Sequence, residues 1–251
     1  MRFDVFLTKT LSLASRSKAQ ELIQSHSVRL LCDGREVAYH KNLFIDTQKH
    51  RWEVHLISPS FVKYVSRAGL KLEYALDHWN VPLTEKVVVD VGQATGGFTQ
   101  VCLARGAAKV YGIEAGHGQL HPTLRQNPKV VAFEHLDVRS IVGHPIFKPL
   151  VSAVDLVTVD VSFISVVDVI DPILWLAPQS MLILVKPQFE IPTRYLTKKG
   201  IVKDQFSMES FLLQFKETLD CKIGTVGQGP LPTPVRGQKG NQEYFLYYIL
   251  R

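Results

Sequence analysis

The chain has 251 residues, enough to bury a full α/β core and carry a small second module. It shows no secretion signal, and its apolar runs fall short of the roughly 20 residues that span a membrane, so we expect a cytoplasmic protein without a membrane partner. The three cysteines, Cys32, Cys102 and Cys221, form no CxxC pair, which argues against a disulfide framework or a zinc site.

The net charge of +6 is concentrated in the first quarter of the chain. Residues 1–71 hold twelve Lys or Arg against six Asp or Glu, whereas residues 72–251 hold seventeen of each. Such an excess is typical of a phosphate-binding module attached to a neutral enzyme body, and a solvated basic face is the simpler alternative.

Residues 1–57 have the pattern of a small α-then-β module. Apolar residues at helical spacing predict one helix over residues 2–11 and a second helix in SRSKAQELIQ, with Ser15 as its N-cap. A hairpin around Asp33-Gly34 follows, and residues 43–45 and 52–57 are further strand candidates. Residues 58–66 contain Pro59 and no period, so they are predicted to link this module to a second domain over residues 67–251.

The second domain alternates strands with helices. A helix is predicted over residues 65–76, and buried strands are predicted over residues 87–90, 110–114, 130–133, 156–159 and 181–185. A helix over residues 206–219 and closing strands over residues 222–226 and 243–250 follow. Because parallel strands end at one rim of a sheet, the acidic and basic residues at these ends should lie together: Asp90, Glu114, Asp137, Asp160 and Lys186.

A glycine-rich turn, with Gly92, Gly96 and Gly97, follows Asp90. Phe98 stands where a P-loop needs Lys, and the glycine spacing differs from the GxGxxG dinucleotide fingerprint. The turn therefore favours S-adenosylmethionine, with a purely structural turn as the alternative. Glu114 follows at the distance typical of a ribose-binding carboxylate, and Asp137 is positioned to meet the adenine edge.

Four further residues suggest a reaction: Lys71, Asp160, Lys186 and Glu243. Transfer of a methyl group to a ribose 2′-hydroxyl needs a base, and Lys186 ends an apolar strand where burial and nearby positive charge favour its neutral amine. We therefore expect Lys186 to take the proton, Asp160 and Glu243 to orient it, and Lys71 to supply positive charge. A lysine on a helix, such as Lys71, is more often solvated.

Residues 1–57 resemble the S-four RNA-binding domain through the first helix, SRSKAQELI and the hairpin with its DG turn. The resemblance implies that Arg2, Arg16 and Lys18 face an RNA backbone, with Lys41 as a weaker candidate. His26-Ser27 replaces the glycine that usually precedes the hairpin.

Most of the chain resembles the TlyA (hemolysin A) family of ribosomal RNA cytidine 2′-O-methyltransferases. The resemblance rests on seven segments in order: SRAGLKL, DVGQATGGFT, EAGHGQL, VDLVTVDVSFIS, LVKPQFE, KKGIVKD and GNQEYFL. It implies a Rossmann-like, FtsJ-like methyltransferase sheet that is mostly parallel with an antiparallel last strand, behind a small α+β RNA-binding domain.

The same resemblance implies roles for individual residues. The catalytic tetrad would be Lys71, Asp160, Lys186 and Glu243. S-adenosylmethionine would be held by residues of the turn and rim: Asp90, Gly92, Gly96, Gly97, Phe98, Glu114 and Asp137. Arg67, His117 and Phe163 would contact RNA, and His117 stands where tyrosine is common, so its stacking on a flipped base would be weaker.

The expected substrate is ribosomal RNA, free or in ribosomal subunits, and the short segment before the first helix resembles the branch that acts on the large subunit alone. Two other classes remain open: a non-catalytic ribosome assembly factor and a membrane-lytic protein. No strongly amphipathic basic helix favours the latter, and no histidine pair at ligand spacing favours a metal.

Overall fold

The computed structural model describes residues 1–13, 16–24, 27–56, 63–203, 206–237 and 239–251. The chain divides into two compact units, Met1–Arg67 and Ala68–Arg251. The predicted N-cap Ser15 and most of the predicted linker lie outside the described residues.

The N-terminal unit places two helices beside a three-stranded antiparallel sheet. Its elements are α1 (Phe3–Thr10), α2 (Arg16–Gln24), β1 (Val28–Cys32), β2 (Arg35–Glu36) and β3 (Trp52–Leu56), with strand order β2-β1-β3. The turn between β1 and β2 has positive φ at both Asp33 (49°) and Gly34 (79°), as a type I′ hairpin requires. Phe3, Leu7 and Leu30 are fully buried in one core.

One strand prediction for this unit is wrong. Residues 43–45 form no strand; Phe44 makes an isolated bridge to Arg2, and its side chain is exposed. Ile45 is fully buried in the core and Leu43 packs against it, so the short apolar run anchors a loop.

The C-terminal unit has six helices and seven strands among its described residues. They are α3 (Ala68–His78), β4 (Val87–Val91), α4 (Gly97–Ala104), β5 (Lys109–Ile113), α5 (Pro122–Arg125), β6 (Val130–Phe133), β7 (Leu156–Val159), α6 (Val167–Trp175), β8 (Ser180–Val185), α7 (Pro187–Glu190), α8 (Met208–Ile223), β9 (Gln228–Pro232) and β10 (Tyr244–Ile249). Short 3-10 turns occupy Val138–Ser140, Lys148–Leu150 and Thr193–Tyr195.

These strands form one sheet in the order β6-β5-β4-β7-β8-β10-β9. The first five run parallel, and β10 is inserted antiparallel between β8 and β9. This confirms the predicted Rossmann-like methyltransferase sheet with its antiparallel last strand. The strand predicted over residues 222–226 is wrong, because α8 continues to Ile223 and ends at Gly224 (φ 79°), and β9 begins only at Gln228.

Helices cover both faces of the sheet, as the alternation along β10 shows. Phe245 contacts Phe98 of α4, and Tyr247 stacks on Trp79, which follows α3. The intervening Leu246 and Tyr248 share the opposite core with Leu219 of α8. The sheet is therefore buried on both faces. The strand ends that carry candidate site residues meet at one of its edges.

The described part of the chain contains no helix with both the length and the apolar character of a membrane span. Its three cysteines are free thiols, and Cys102 is buried.

Candidate active site

The glycine-rich turn connects β4 to α4 and packs against the end of β7. Gly92 has a φ of +83°, and a Cβ built there would lie 2.4 Å from the backbone oxygen of Asp160. Only glycine allows this approach. The turn that could hold a cofactor is thereby fixed directly beside a candidate catalytic residue.

Asp90, in β4, lies in the core directly before this turn. Its carboxylate is completely buried and accepts hydrogen bonds from the hydroxyls of Thr99 (2.6 Å) and Thr158 (3.0 Å). Burial raises the pKa of Asp90 to about 6, and the threonine hydrogen bonds only partly offset it. The expectation that Asp90 contacts a cofactor is therefore wrong for this structure, since the side chain offers no surface to a ligand.

Three other predicted cofactor contacts are also buried. Phe98 is 3% exposed and contacts Phe245, and a Cβ at Gly96 would collide with the side chain of Leu124. Gly97 is buried at the start of α4. The side of the turn that retains accessible surface consists of Gly92, Ala94 and Thr95.

Glu114 joins two loops at the end of β5. Its Oε2 accepts a hydrogen bond from the Ala94 backbone N–H (2.9 Å), and its Oε1 accepts one from Gly116 (2.7 Å). A carboxylate has about four acceptor sites, so both oxygens can still accept further donors. Glu114 thus lies beside the glycine turn, as the sequence predicts for a ribose-binding residue.

Asp137 follows β6 and begins a 3-10 turn, where it accepts from the backbone N–H of Arg139 (2.9 Å). The side-chain hydrogen bonds of Arg139 lower the pKa of Asp137, although partial burial opposes them. Its carboxylate is hydrogen-bonded within its own loop. The residue is half-buried and lies at the same rim as Glu114.

The polar groups at this end of the sheet suit an adenosine whose tail carries no phosphate. Glu114 supplies acceptors for hydroxyl groups, while buried Phe98, and no lysine, follows the glycines. A diphosphate needs cationic or N–H-rich surroundings. The residues present therefore fit a nucleoside cofactor such as S-adenosylmethionine.

The four predicted catalytic residues form two buried ion pairs. Lys186 Nζ lies 2.6 Å from Asp160 Oδ1, and Lys71 Nζ donates to Glu243 Oε2 at 2.5 Å. All four side chains are between 4% and 16% exposed. Lys71 is thus paired and buried on α3, unlike an ordinary solvated helix lysine.

The antiparallel insertion of β10 brings the two pairs together. Tyr244 is paired with Val185 in the β8–β10 ladder, so Glu243 stands opposite Lys186 one step beyond its end. Asp160 directly follows Val159, which pairs with Ile183 in the adjacent ladder of β7 and β8. Three of the four residues therefore come from the ends of neighbouring strands.

Several residues around the tetrad were missed by the sequence reasoning. Ser162 accepts from Lys186 Nζ (2.8 Å), and Gln188 Nε2 donates to Glu243 Oε1 (3.4 Å). A Cβ at Gly237 would lie 2.3 Å from Glu243 Oε1, so a side chain there would displace the Glu243 carboxylate. Ser162 and Gln188 each lie two residues beyond a predicted site residue, which is the signal that could have identified them.

Glu190 is the other missed residue. Its two oxygens accept hydrogen bonds from Ser165 Oγ (2.6 Å) and the Val166 backbone N–H (2.9 Å), and burial raises the pKa of its carboxyl group. Glu190 thereby joins the loop after β7, which carries Asp160 and Ser162, to the α7 turn that begins at Lys186.

The predicted stacking residues lie on two different loops of this rim. Phe163 is 84% exposed with a positive φ (66°), and its ring centroid is 5.0 Å from that of Phe189. His117 is exposed and stacks on His135, with ring centroids 4.6 Å apart. Phe163 thus follows the Asp160 strand end, whereas His117 is three residues beyond Glu114.

In the N-terminal unit, Arg2 and Arg16 both bind the buried Asp4, at 3.1 and 2.9 Å, with about half of each side chain exposed. Lys41 is exposed and Arg67 is half-buried. Lys18 is only 8% exposed, so its contact with an RNA backbone stays a prediction for a largely covered side chain.

One group of possible metal ligands occurs among the described residues. Cys32, Asp33 and His50 have ligand atoms within 4.8 Å of one another at the β1–β2 turn. Asp33 already accepts from His50 Nδ1 (2.7 Å) and from the Arg51 backbone N–H (2.9 Å), so the hairpin itself accounts for the cluster.

Comparison with known proteins agrees with this geometry. Residues 64–249 match the FtsJ-like methyltransferase family. The TlyA protein of Campylobacter jejuni, named a 23S rRNA (cytidine-2′-O)-methyltransferase, is 33% identical over 99% of both chains. The TlyA protein of Mycobacterium tuberculosis, named a 16S/23S rRNA (cytidine-2′-O)-methyltransferase, is 34% identical over 98% of this chain and 88% of its own length.

A solved structure of a hemolysin-named protein from Streptococcus thermophilus covers 98% of this chain and 87% of its own, with 28% identity and a TM-score of 0.69. The family match covers the sheet and the tetrad, and the relatives cover nearly the whole chain. The chain therefore belongs to the FtsJ-like methyltransferases and, among them, to the TlyA family.

Proposed function

We propose that this methyltransferase transfers a methyl group from S-adenosylmethionine to the ribose 2′-hydroxyl of a cytidine in ribosomal RNA. The observation that carries the proposal is the pair of buried contacts, Lys186–Asp160 and Lys71–Glu243, beside the glycine-rich turn. The names of the two TlyA relatives support the substrate.

The glycine-rich turn and Glu114 would hold the cofactor, with Asp137 toward its adenine end. When bound, S-adenosylmethionine supplies an electrophilic methyl group on a sulfonium sulfur. Because Gly92 packs against the Asp160 backbone, the cofactor-holding turn and the proton-accepting end of the site are parts of one rigid strand edge.

Lys186 is the proposed proton acceptor. A ribose 2′-hydroxyl is a weak nucleophile until its proton is removed, and a positioned amine can take that proton. Lys186 can act as this base only in its neutral amine form, after its own proton has passed to solvent. Asp160 and Ser162 hold Nζ in place by contacts of 2.6 and 2.8 Å.

Glu243 is proposed to hold Lys71 and orient the site. It accepts from Lys71 and, more weakly, from Gln188, so its charge is balanced inside the protein. With Lys186 in its neutral amine form the tetrad carries one net negative charge. Uptake of the 2′-hydroxyl proton at Lys186 Nζ gives two ammonium and two carboxylate groups, so the tetrad becomes neutral.

RNA contacts are proposed on both units. The half-exposed Arg2 and Arg16, the exposed Lys41, and Arg67 would meet phosphates. Exposed Phe163 and His117 are proposed to stack on bases of an unpaired strand. We also propose the large-subunit RNA as substrate, supported by the 99% coverage of a relative named for 23S rRNA, and a cytoplasmic site of action.

The test is methylation of separated ribosomal subunits with labelled S-adenosylmethionine, followed by mapping of the modified ribose. We expect label at a cytidine 2′-oxygen of large-subunit RNA. Lys186→Ala should lower the single-turnover rate by about 100- to 10,000-fold, the range for loss of a general base.

Lys222→Ala is the matched control, because Lys222 is paired with Asp171 on the surface, at 2.7 Å, and should leave the rate unchanged. Undiminished methylation by Lys186→Ala would refute the proposed mechanism. Absence of label from the RNA of both subunits, with intact RNA binding, would favour the non-catalytic assembly factor instead.

A further inference from the structure

The C-terminal unit contains one region in which positive side chains cluster without acidic residues to balance them. Residues 191–203 and 233–242 together contain six Lys or Arg and no Asp or Glu. All six are exposed, and we call them the six-cation surface: Arg194, Lys198, Lys199, Lys203, Arg236 and Lys239.

This surface contrasts with the rest of residues 72–251. Outside the two segments those residues hold eleven Lys or Arg against seventeen Asp or Glu, so the background is acidic. The overall neutrality of residues 72–251 therefore conceals a cationic face on a negative body.

Ion pairing shows the same contrast. Elsewhere in this unit, six surface cations lie within 4.0 Å of carboxylates: Lys86, Arg105, Arg125, Arg139, Lys216 and Lys222. Lys109 donates to the Pro128 oxygen, and Lys129 and Lys148 have no carboxylate that close among the described residues. Across the described residues, no member of the six-cation surface lies within 4.0 Å of a carboxylate. Lys203 and Arg236 instead donate to backbone oxygens, of Arg194 (2.7 Å) and Gly240 (3.1 Å). These contacts order the side chains but leave their charges unneutralised.

Asn241 holds the two segments together. Its Oδ1 accepts from the Val202 backbone N–H (3.0 Å), and its Nδ2 donates to the Gly200 oxygen (2.8 Å). Lys239 Nζ lies against Gly200, 3.4 Å from where a Cβ would stand. The cations of the hairpin and of the turn thus form one surface.

The same turn borders the tetrad. Gly237 lies between Arg236 and Lys239 in sequence, and a Cβ on it would touch Glu243 Oε1. A polyanion bound to the six-cation surface would therefore pass beside Glu243. Phosphate recognition requires Lys and Arg side chains that are not already paired with carboxylates. Here backbone carbonyl oxygens hold such side chains in place next to the reaction site.

We infer that the six-cation surface binds phosphates of the RNA strand that flanks the target nucleotide. The identity of the ligand rests on the proposed function. The inference adds a second phosphate-binding region to the one proposed on the N-terminal unit, and places it on the C-terminal unit, whose total charge does not indicate one.

The test compares two double variants of equal charge change in the full chain. Lys198→Gln/Lys199→Gln removes two members of the surface, and Lys129→Gln/Lys148→Gln removes two exposed lysines elsewhere in the same unit. Affinity for an rRNA fragment is measured at several salt concentrations. Melting temperature and S-adenosylmethionine affinity verify that each variant is folded.

We expect Lys198→Gln/Lys199→Gln to reduce the slope of log Kd against log salt by about 1.4 to 1.8, the value for two lost phosphate contacts. The control should change the slope by less than about 0.5. Equal slopes for both variants would overturn the inference. Binding of an acidic protein to the same surface would not change that conclusion.

A methylation assay on the wild-type chain separates this result from the proposed function. A reduced slope with a chain that methylates no RNA would support the surface and refute the proposed reaction. Methylation with an unchanged slope would support the reaction and refute the surface.

Discussion

Asp4 and Asp90 are both completely shielded from solvent, yet the two units of the molecule compensate these carboxylates in different ways. Asp4, in the N-terminal unit, accepts from the guanidinium groups of Arg2 and Arg16 and from the amide of Gln20. Asp90, under the glycine-rich turn, accepts from two threonine hydroxyls.

The two pKa values move in opposite directions. Burial opposes ionisation at both sites, but hydrogen bonds from Gln20, Arg16 and Arg2 hold the pKa of Asp4 well below its usual range. Burial dominates at Asp90, where the hydroxyls offset it only in part and the charge of Asp160 adds to it, so its pKa is about 6. Three donor side chains, two of them cationic, overcome the cost of burial at Asp4, whereas two neutral hydroxyls do not at Asp90.

The largest expected effect is that of Asp4→Ala. Removing a buried carboxylate from two arginines and a glutamine should destabilise the N-terminal unit by about 3 kcal/mol, the lower end for breaking a buried ion pair, because the arginines can be rehydrated. Urea unfolding followed by Trp52 fluorescence measures this, since Trp52 is in that unit.

Asp4→Asn is the matched comparison, because it keeps the shape and loses the charge. The stabilisation by a carboxylate with a lowered pKa is present above its unfolded value, near 3.9, and is lost as pH falls. The stability difference between wild type and Asp4→Asn should therefore shrink below about pH 4. A difference independent of pH would show that charge is not what holds this unit.

Asp90→Asn should reveal the opposite pH dependence. A carboxyl group with a raised pKa stabilises the fold below its unfolded pKa, and this stabilisation is lost as pH rises through about 6. Relative to Asp90→Asn, the wild type should lose about 2 kcal/mol between pH 4 and pH 7. Calorimetric melting of both proteins across this range measures the difference.

Parallel pH curves for wild type and Asp90→Asn would contradict the comparison. They would mean that Asp90 has the same pKa folded and unfolded. Its buried hydroxyl partners would then be as effective as the arginines around Asp4.

Thr158→Val should have a smaller effect that depends on the charge of Asp90. Loss of one hydroxyl donor to an ionised carboxylate costs about 1.5 kcal/mol at pH 7.5 and less at pH 4.5, where the carboxyl group is protonated. Thr218→Val is the control, because the hydroxyl of Thr218 bonds the Gln214 oxygen on an exposed helix face. Its effect should stay within a few tenths of a kcal/mol at both pH values.

The smallest effects are expected for single arginine substitutions around Asp4. Arg2→Ala and Arg16→Ala each remove a half-exposed partner while two donors remain, so each should cost about 0.5 to 1 kcal/mol. Chemical denaturation at low and high salt measures them. A loss of 3 kcal/mol from either would show that one arginine alone compensates Asp4, contrary to the shared arrangement.

The sequence predicted the sheet well because its parallel strands are uninterrupted apolar runs. Residues 87–91, 156–159 and 180–185 are almost wholly buried, so periodicity and burial agree there. The same reasoning failed at residues 222–226, where α8 keeps its helical pattern until Gly224. It failed at residues 43–45 because a short apolar run specifies burial but not strand pairing.

For the site, strand ends were predictable and side-chain directions were not. The placement of Glu114, Asp160 and Lys186 at one rim follows from parallel topology alone. Whether Asp90 faces a ligand or the core depends on Thr158, a residue 68 positions away. The burial of Lys18 likewise depends on packing within the N-terminal unit that no local pattern encodes.

The antiparallel insertion of β10 has a consequence for how the enzyme acquires activity during folding. The glycine-rich turn, Glu114 and the Lys186–Asp160 pair all come from β4 to β8, whereas Glu243 meets Lys71 across 172 residues of chain. Contacts of such long range form late, because loop closure has to precede them. A chain folded only through β8 could hold the cofactor while Lys71 still lacked its carboxylate, so docking of β10 is the event that completes the catalytic tetrad.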